Sequence, residues 1–115
     1  MNDFDIPIFK KIYDLYKSFY VLRKNFPKDD KYILGEKCES LILEVLTCVF
    51  EASQKPKPQR LVYLEGASVK INLLRFHFRL AKDVRALSEK NYLNLQENLD
   101  EIGRMLGGWI RMTKS

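Results

Sequence analysis

Residues 70–85, KINLLRFHFRLAKDVR, decide how this chain folds. Read at the 3.5-residue spacing of a packed helix, Leu64, Ala67, Ile71, Leu74, Phe78 and Ala81 fall on one seam. Val62, Val69, Leu73, Phe76 and Leu80 form a second apolar seam roughly opposite. Between them runs a polar strip with Arg75, Arg79 and Lys82 at i, i+4 and i+7. One apolar stripe is enough to join a helix to a small bundle. A second stripe asks for a partner, most simply another copy of the chain.

Three more helices flank this one. Ile8, Ile12, Leu15, Phe19, Leu22 and Phe26 step at helical spacing before Pro27, with Asp5 a suitable cap and Pro7 tolerated in the first turn. Phe9, Tyr13, Tyr16 and Tyr20 make an aromatic stripe beside them, read as core edge or as a base-stacking surface. Asp29 and Asp30 open the second helix, which runs to about Ser53. Its apolar set is broad: Leu34, Cys38, Leu41, Val45, Cys48 and Ala52, with Ile42, Leu46 and Val49 to one side and Leu43 and Phe50 to the other. This helix too is expected to be covered from two directions.

Lys55-Pro56-Lys57-Pro58 breaks the chain before the central helix. Ser88 is a candidate cap for the last one, along which Tyr92, Leu95, Leu99, Ile102, Leu106 and Trp109 recur. Gly107 and Gly108 could end that helix. The apolar rhythm instead continues to Trp109 and Ile110, and Gly103 and Gly107 share a face where another backbone could approach closely. The expected fold is all-α, one domain over residues 1–115, an up-down-up-down antiparallel four-helix bundle.

Net charge is +5, unevenly spread. Residues 29–54 carry two Lys/Arg against six acids, and 55–85 carry eight against two. Such asymmetry fits a nucleic-acid partner, or basic and acidic faces that meet in self-assembly. Cys38 and Cys48 sit ten residues apart on one helix, about 15 Å along its axis, and cannot pair with each other. Free thiols, with no signal-like start to the sequence, imply a cytoplasmic protein, and no apolar run is long enough to cross a membrane.

The sequence offers little for catalysis. His77 is the single histidine and sits between Phe76 and Phe78. No Glu-x-x-His pair, zinc spacing, phosphate loop or Ser/His/Asp set occurs, so no catalytic residue, metal or cofactor is expected. Glu97, Asp100 and Glu101 read as an exposed face of the last helix.

Two stretches, LLRFHFRLA (Leu73 to Ala81) and EIGRMLGGWIR (Glu101 to Arg111), resemble the accessory variability determinant (Avd) proteins of diversity-generating retroelements. The same broad family holds four-helix-bundle proteins encoded within intervening sequences of bacterial ribosomal RNA genes, where Asn25-Phe26-Pro27, Leu34-Gly35 and Gly107-Gly108-Trp109 are equally at home. The resemblance implies a pentameric barrel with a basic surface. In the Avd branch the barrel binds reverse transcriptase and nucleic acid and supports mutagenic cDNA synthesis, without being the polymerase. Arg75 and Arg79 fall on the family's basic positions, and Lys82 and Arg85 extend that end of the helix. These four are the candidate RNA or DNA contacts, directed at the backbone, while Val69, Leu73, Phe76, Leu80, Gly103 and Gly107 are the candidate oligomer interface. Two alternatives stay open: the strip is a solvated face, or Arg75 and Arg79 pair with Glu44 or Glu51 of a neighbouring copy. The runner-up function is an oligomeric scaffold of the ribosomal intervening-sequence type with no nucleic-acid role.

Overall fold

A computed structural model describes residues 7–115. Pro7 opens helix α1 (Pro7–Arg23), its fixed φ suited to a first turn. The proposed cap at Asp5 lies outside the described residues. The turn after Arg23 is folded inward by Phe26, which is buried and meets Phe19 edge-on at 5.6 Å. Phe19 in turn stacks on Phe78 at 5.4 Å, so the turn, α1 and the central helix share one aromatic cluster.

Pro27 stops α1 and a new helical segment begins at once, through Lys28–Asp30 and a π-helical turn, Lys31–Gly35, into α2 (Glu36–Ser53). After Pro56, whose extended backbone precedes the first turn, α3 (Lys57–Asp83) runs for 27 residues. It closes with a left-handed residue, Arg85 at φ 67°. The amide of Ala86 donates to the Ala81 carbonyl at 2.8 Å and that of Arg85 to Lys82 at 3.0 Å, the paired bonds of a Schellman closure. Ser88 then caps α4 (Glu89–Lys114) by accepting from the Asn91 amide at 3.1 Å. Helix α4 passes through Gly107 and Gly108 without a break, so these glycines do not end it.

Each helix packs on its neighbour in sequence, and α1 also packs on α4. Cross-links fix the directions. Glu39 near the start of α2 pairs with Arg23 at the end of α1, Lys70 pairs with Glu44 at 3.1 Å, Arg75 with Asp100, and Lys11 with Glu101 at 3.0 Å. All four are antiparallel pairings, and the result is an up-down-up-down four-helix bundle about 44 × 24 × 22 Å. No strand occurs among the described residues.

The first seam of α3, Leu64, Ala67, Ile71, Leu74, Phe78 and Ala81, is at most 2% exposed throughout. In α4 the expected residues from Tyr92 to Leu106 are buried, whereas Trp109 is only half-buried. Its ring lies 5.9 Å from the guanidinium of Arg60, which also donates from Nε to the Ala52 carbonyl at 3.1 Å and from Nη2 to the Lys55 carbonyl at 2.9 Å. Arg60 thus ties the end of α2 to α3 and α4. The seam of α2 is shifted from expectation. Ile42 and Val49 join Cys38, Leu41, Val45 and Ala52 in the core, while Leu34 and Cys48 are half-buried, because α2 turns toward α1 as well as α3.

Candidate nucleic-acid interface

The second seam of α3 points away from the bundle. Val62 is 70% exposed, Val69 67% and Phe76 76%, with Leu73 and Leu80 also exposed. Nothing among the described residues covers this line of side chains. Leu43 and Phe50, on the helix expected to be covered from two directions, are likewise exposed on α2.

The basic strip borders this seam on the side of α4, and its four members have unlike surroundings. The guanidinium Nη1 of Arg75 donates to Asp100 of α4. Arg79 pairs with Asp83 one turn on, at 3.3 Å. The ammonium of Lys82 stands 5.1 Å from the Tyr92 ring. Arg85, in the α3–α4 connection, is exposed and has a left-handed backbone. Two of the four cations are therefore already matched by a carboxylate of the same chain, which lowers the positive field the strip projects.

The partners imagined in a neighbouring copy are also engaged internally. Glu44 pairs with Lys70, and Glu51 lies 3.9 Å from Lys55. On α4 Glu97 and Asp100 are exposed and Glu101 is half-buried; Asp100 and Glu101 each bridge to another helix, and among the described residues Glu97 has no such bond. Opposite charges on different helices found each other once the bundle closed.

Gly103 and Gly107 do lie on one face of α4. A Cβ at Gly103 would stand 3.2 Å from Nη2 of Arg75, so the bare backbone there accommodates an arginine of the same chain. At Gly107 the nearest atom is Nη1 of Arg111 at 3.6 Å, an ordinary contact, leaving that position open. Between α3 and α4 lies a cleft of about 340 Å³ lined by Ser68, Ile71, Asn72, Arg75, Asp100, Gly103, Arg104 and Leu106. Sequence reading missed Ser68, Asn72 and Arg104. The first two precede Arg75 at i, i+4 and i+7 on one face of α3, a pattern visible in the sequence once α4 is known to lie beside it.

Of the remaining chemistry-bearing groups, Cys38 is buried, and His77 and Cys48 are half-buried. Nδ1 of His77 donates to the Leu73 carbonyl at 2.9 Å, fixing the ring to its own helix. Burial pushes the Cys38 thiol up to about 12, and Cys48, also raised by burial, stays a free thiol. Among the described residues no three His, Cys, Asp or Glu side chains gather as a metal site would, and no helix is long and apolar enough to cross a membrane.

Fold and surface together define a four-helix bundle whose longest helix carries an uncovered apolar seam beside a line of cations. The bAvd-like family model matches residues 7–113, nearly the whole chain, and the chain belongs to that family. A search of curated proteins found no match.

Proposed function

We propose that the chain is a non-catalytic accessory protein of a diversity-generating retroelement, acting in the cytoplasm as a ring of identical copies, five by the family resemblance. In this reading it binds the element's reverse transcriptase together with RNA or DNA and supports mutagenic cDNA synthesis. The observation that carries the proposal is the bAvd-like match over residues 7–113. The exposed seam of Val69, Leu73, Phe76 and Leu80 supports self-assembly, and Gly103 and Gly107 on α4 are the proposed points of close approach. A ring would repeat each weak phosphate contact around its circumference, giving avidity from modest single sites.

The internal pairing of Arg75 and Arg79 favours a second reading, an oligomeric scaffold of the ribosomal intervening-sequence type whose charges serve folding and solubility. A salt titration of a structured RNA separates the two. Native protein is compared with a variant in which Arg75, Arg79 and Lys82 are all changed to Gln, the assembled mass being measured for both. The accessory reading expects native binding that falls steeply with salt, and a flatter slope in the variant at unchanged mass. Absence of RNA binding by the native protein selects the scaffold. Co-purification with a reverse transcriptase of such an element tests the remaining partner.

A further inference from the structure

We propose that the cleft between α3 and α4 is an oxyanion site that takes a phosphate group, held by Arg104 and Arg75 with Ser68 and Asn72 over the bare backbone of Gly103. As a contact point for nucleic acid this rests on the reading above; as a phosphate site it stands on the cleft alone.

The inference starts from which donors are spent. Arg75 gives Nη1 to Asp100, and among the described residues its Nε and Nη2 have no acceptor. Nη2 lies over Gly103, where a Cβ would come within 3.2 Å of it, so the missing side chain keeps this edge of the guanidinium at the cleft. Arg104, next in sequence, is exposed and has neither a carboxylate within ion-pair distance nor a hydrogen bond among the described residues. Ser68 and Asn72 line the opposite wall and likewise have no hydrogen-bond partner there. The one acid of the cleft, Asp100, is already engaged by Arg75.

The cleft is thus lined by two arginines, a serine and an asparagine, with a single carboxylate that is already paired. Planar arginine forks match phosphate oxygens, and a cleft holds them closer together than an open helix face does. The cleft, about 340 Å³, is far above the ~10–15 Å³ that holds one water on the same measure, so a phosphate group enters without rearrangement of the helices. Arg79, a turn away, lies on the open strip and does not line the cleft. The chemistry is common to free phosphates and to a nucleic-acid backbone, and the source of the group is decided by experiment.

Pyrophosphate is titrated calorimetrically into the native protein and into Arg104→Gln, Gly103→Ala and Arg79→Gln, and the same four proteins are titrated with a structured RNA. Arg104 has no partner to lose, and alanine favours a helix over glycine, so both cleft variants keep the fold. Arg79→Gln removes the same charge from the strip. The expected result is pyrophosphate binding weakened about tenfold by Arg104→Gln and severalfold by Gly103→Ala and unchanged by Arg79→Gln, with RNA affinity lowered by both cleft variants whatever Arg79→Gln does on the open strip. Pyrophosphate binding in that order by a protein that ignores RNA supports the oxyanion site and removes the nucleic-acid reading. RNA binding that Arg79→Gln weakens and the cleft variants leave alone overturns the cleft and keeps that reading. Cleft variants that change the assembled mass but not anion affinity also overturn it, because a carboxylate of another copy then fills the cleft.

Discussion

Arg85 sits where a glycine would be expected. It is the left-handed residue that closes α3, and for an L-residue that conformation costs roughly 1–2 kcal/mol. Arg85→Gly should therefore raise stability by about 1 kcal/mol, part of the gain being offset by the extra freedom of glycine in the unfolded chain. The urea midpoint should move up with an unchanged slope. The same variant removes one of the four nominated phosphate contacts, so a fall in RNA affinity could not be blamed on weakened folding. Cys38 offers a pH test. Its folded thiol titrates near 12 against an ordinary value of 9, so the folded state keeps a proton that the unfolded state gives up between those values. The stability from keeping that thiol neutral is fully present below about pH 9 and is lost as pH rises toward 12. Cys38→Ala should be less stable than native at about pH 8, through the small cavity it leaves, and the gap should narrow by up to ~1.4 kcal/mol per pH unit above 9. A gap that stays constant to about pH 10.5 in urea denaturation would show that the thiol ionises freely.

At the scale of the helix, the same substitution should have opposite signs at two glycines. Gly35 is buried in the π-helical turn that leads into α2, and a Cβ there would stand 2.9 Å from Cγ of Arg23. That is the stem of the side chain, which cannot swing aside as its tip could. Arg23 is also held by donation from Nε to the Lys31 carbonyl at 2.9 Å and by its ion pair with Glu39, both partly buried. Gly35→Ala should cost roughly 1–3 kcal/mol despite the better helix propensity of alanine. Gly107→Ala meets only the mobile tip of Arg111 and should gain the protomer about 1 kcal/mol. If Gly107 is a point of close approach between copies, assembly should weaken in the same variant, seen as a lower mass by light scattering; an unchanged mass removes Gly107 from the interface. What the sequence made legible follows the same division. Seams repeating along one helix, such as Leu64 to Ala81, were readable because burial of a stripe depends on spacing alone. The π turn depends on Arg23 reaching across from α1, and the Arg75–Asp100 pair on α3 meeting α4 in one register, so neither has a local signal. The Arg79–Asp83 pair at i, i+4 was local, and its meaning for the basic strip emerged only when the other cations had been placed.

The whole molecule presents a surface that a lone bundle of this size has little reason to keep. Val69 and Phe76 are each more than two-thirds exposed in the protomer. Burying such side chains fully is worth about 1.5–3 kcal/mol apiece, and in a ring every copy would use the surface in head-to-tail contact with its neighbour. Val69→Glu with Phe76→Glu removes that gain and forces two carboxylates into each contact, where leaving them unpaired is costly. The double variant should run as the 13.6 kDa protomer with native helical circular dichroism, because neither residue belongs to the buried core. RNA affinity should then fall much further than the loss of two charge units explains, since repeated contacts around a ring multiply and single ones do not. An assembled mass that survives the change would move the interface off this seam, with the exposed Leu43 and Phe50 of α2 the next surface to alter. A protomer that binds RNA as tightly as the native assembly would separate the two properties and leave phosphate recognition to each bundle by itself.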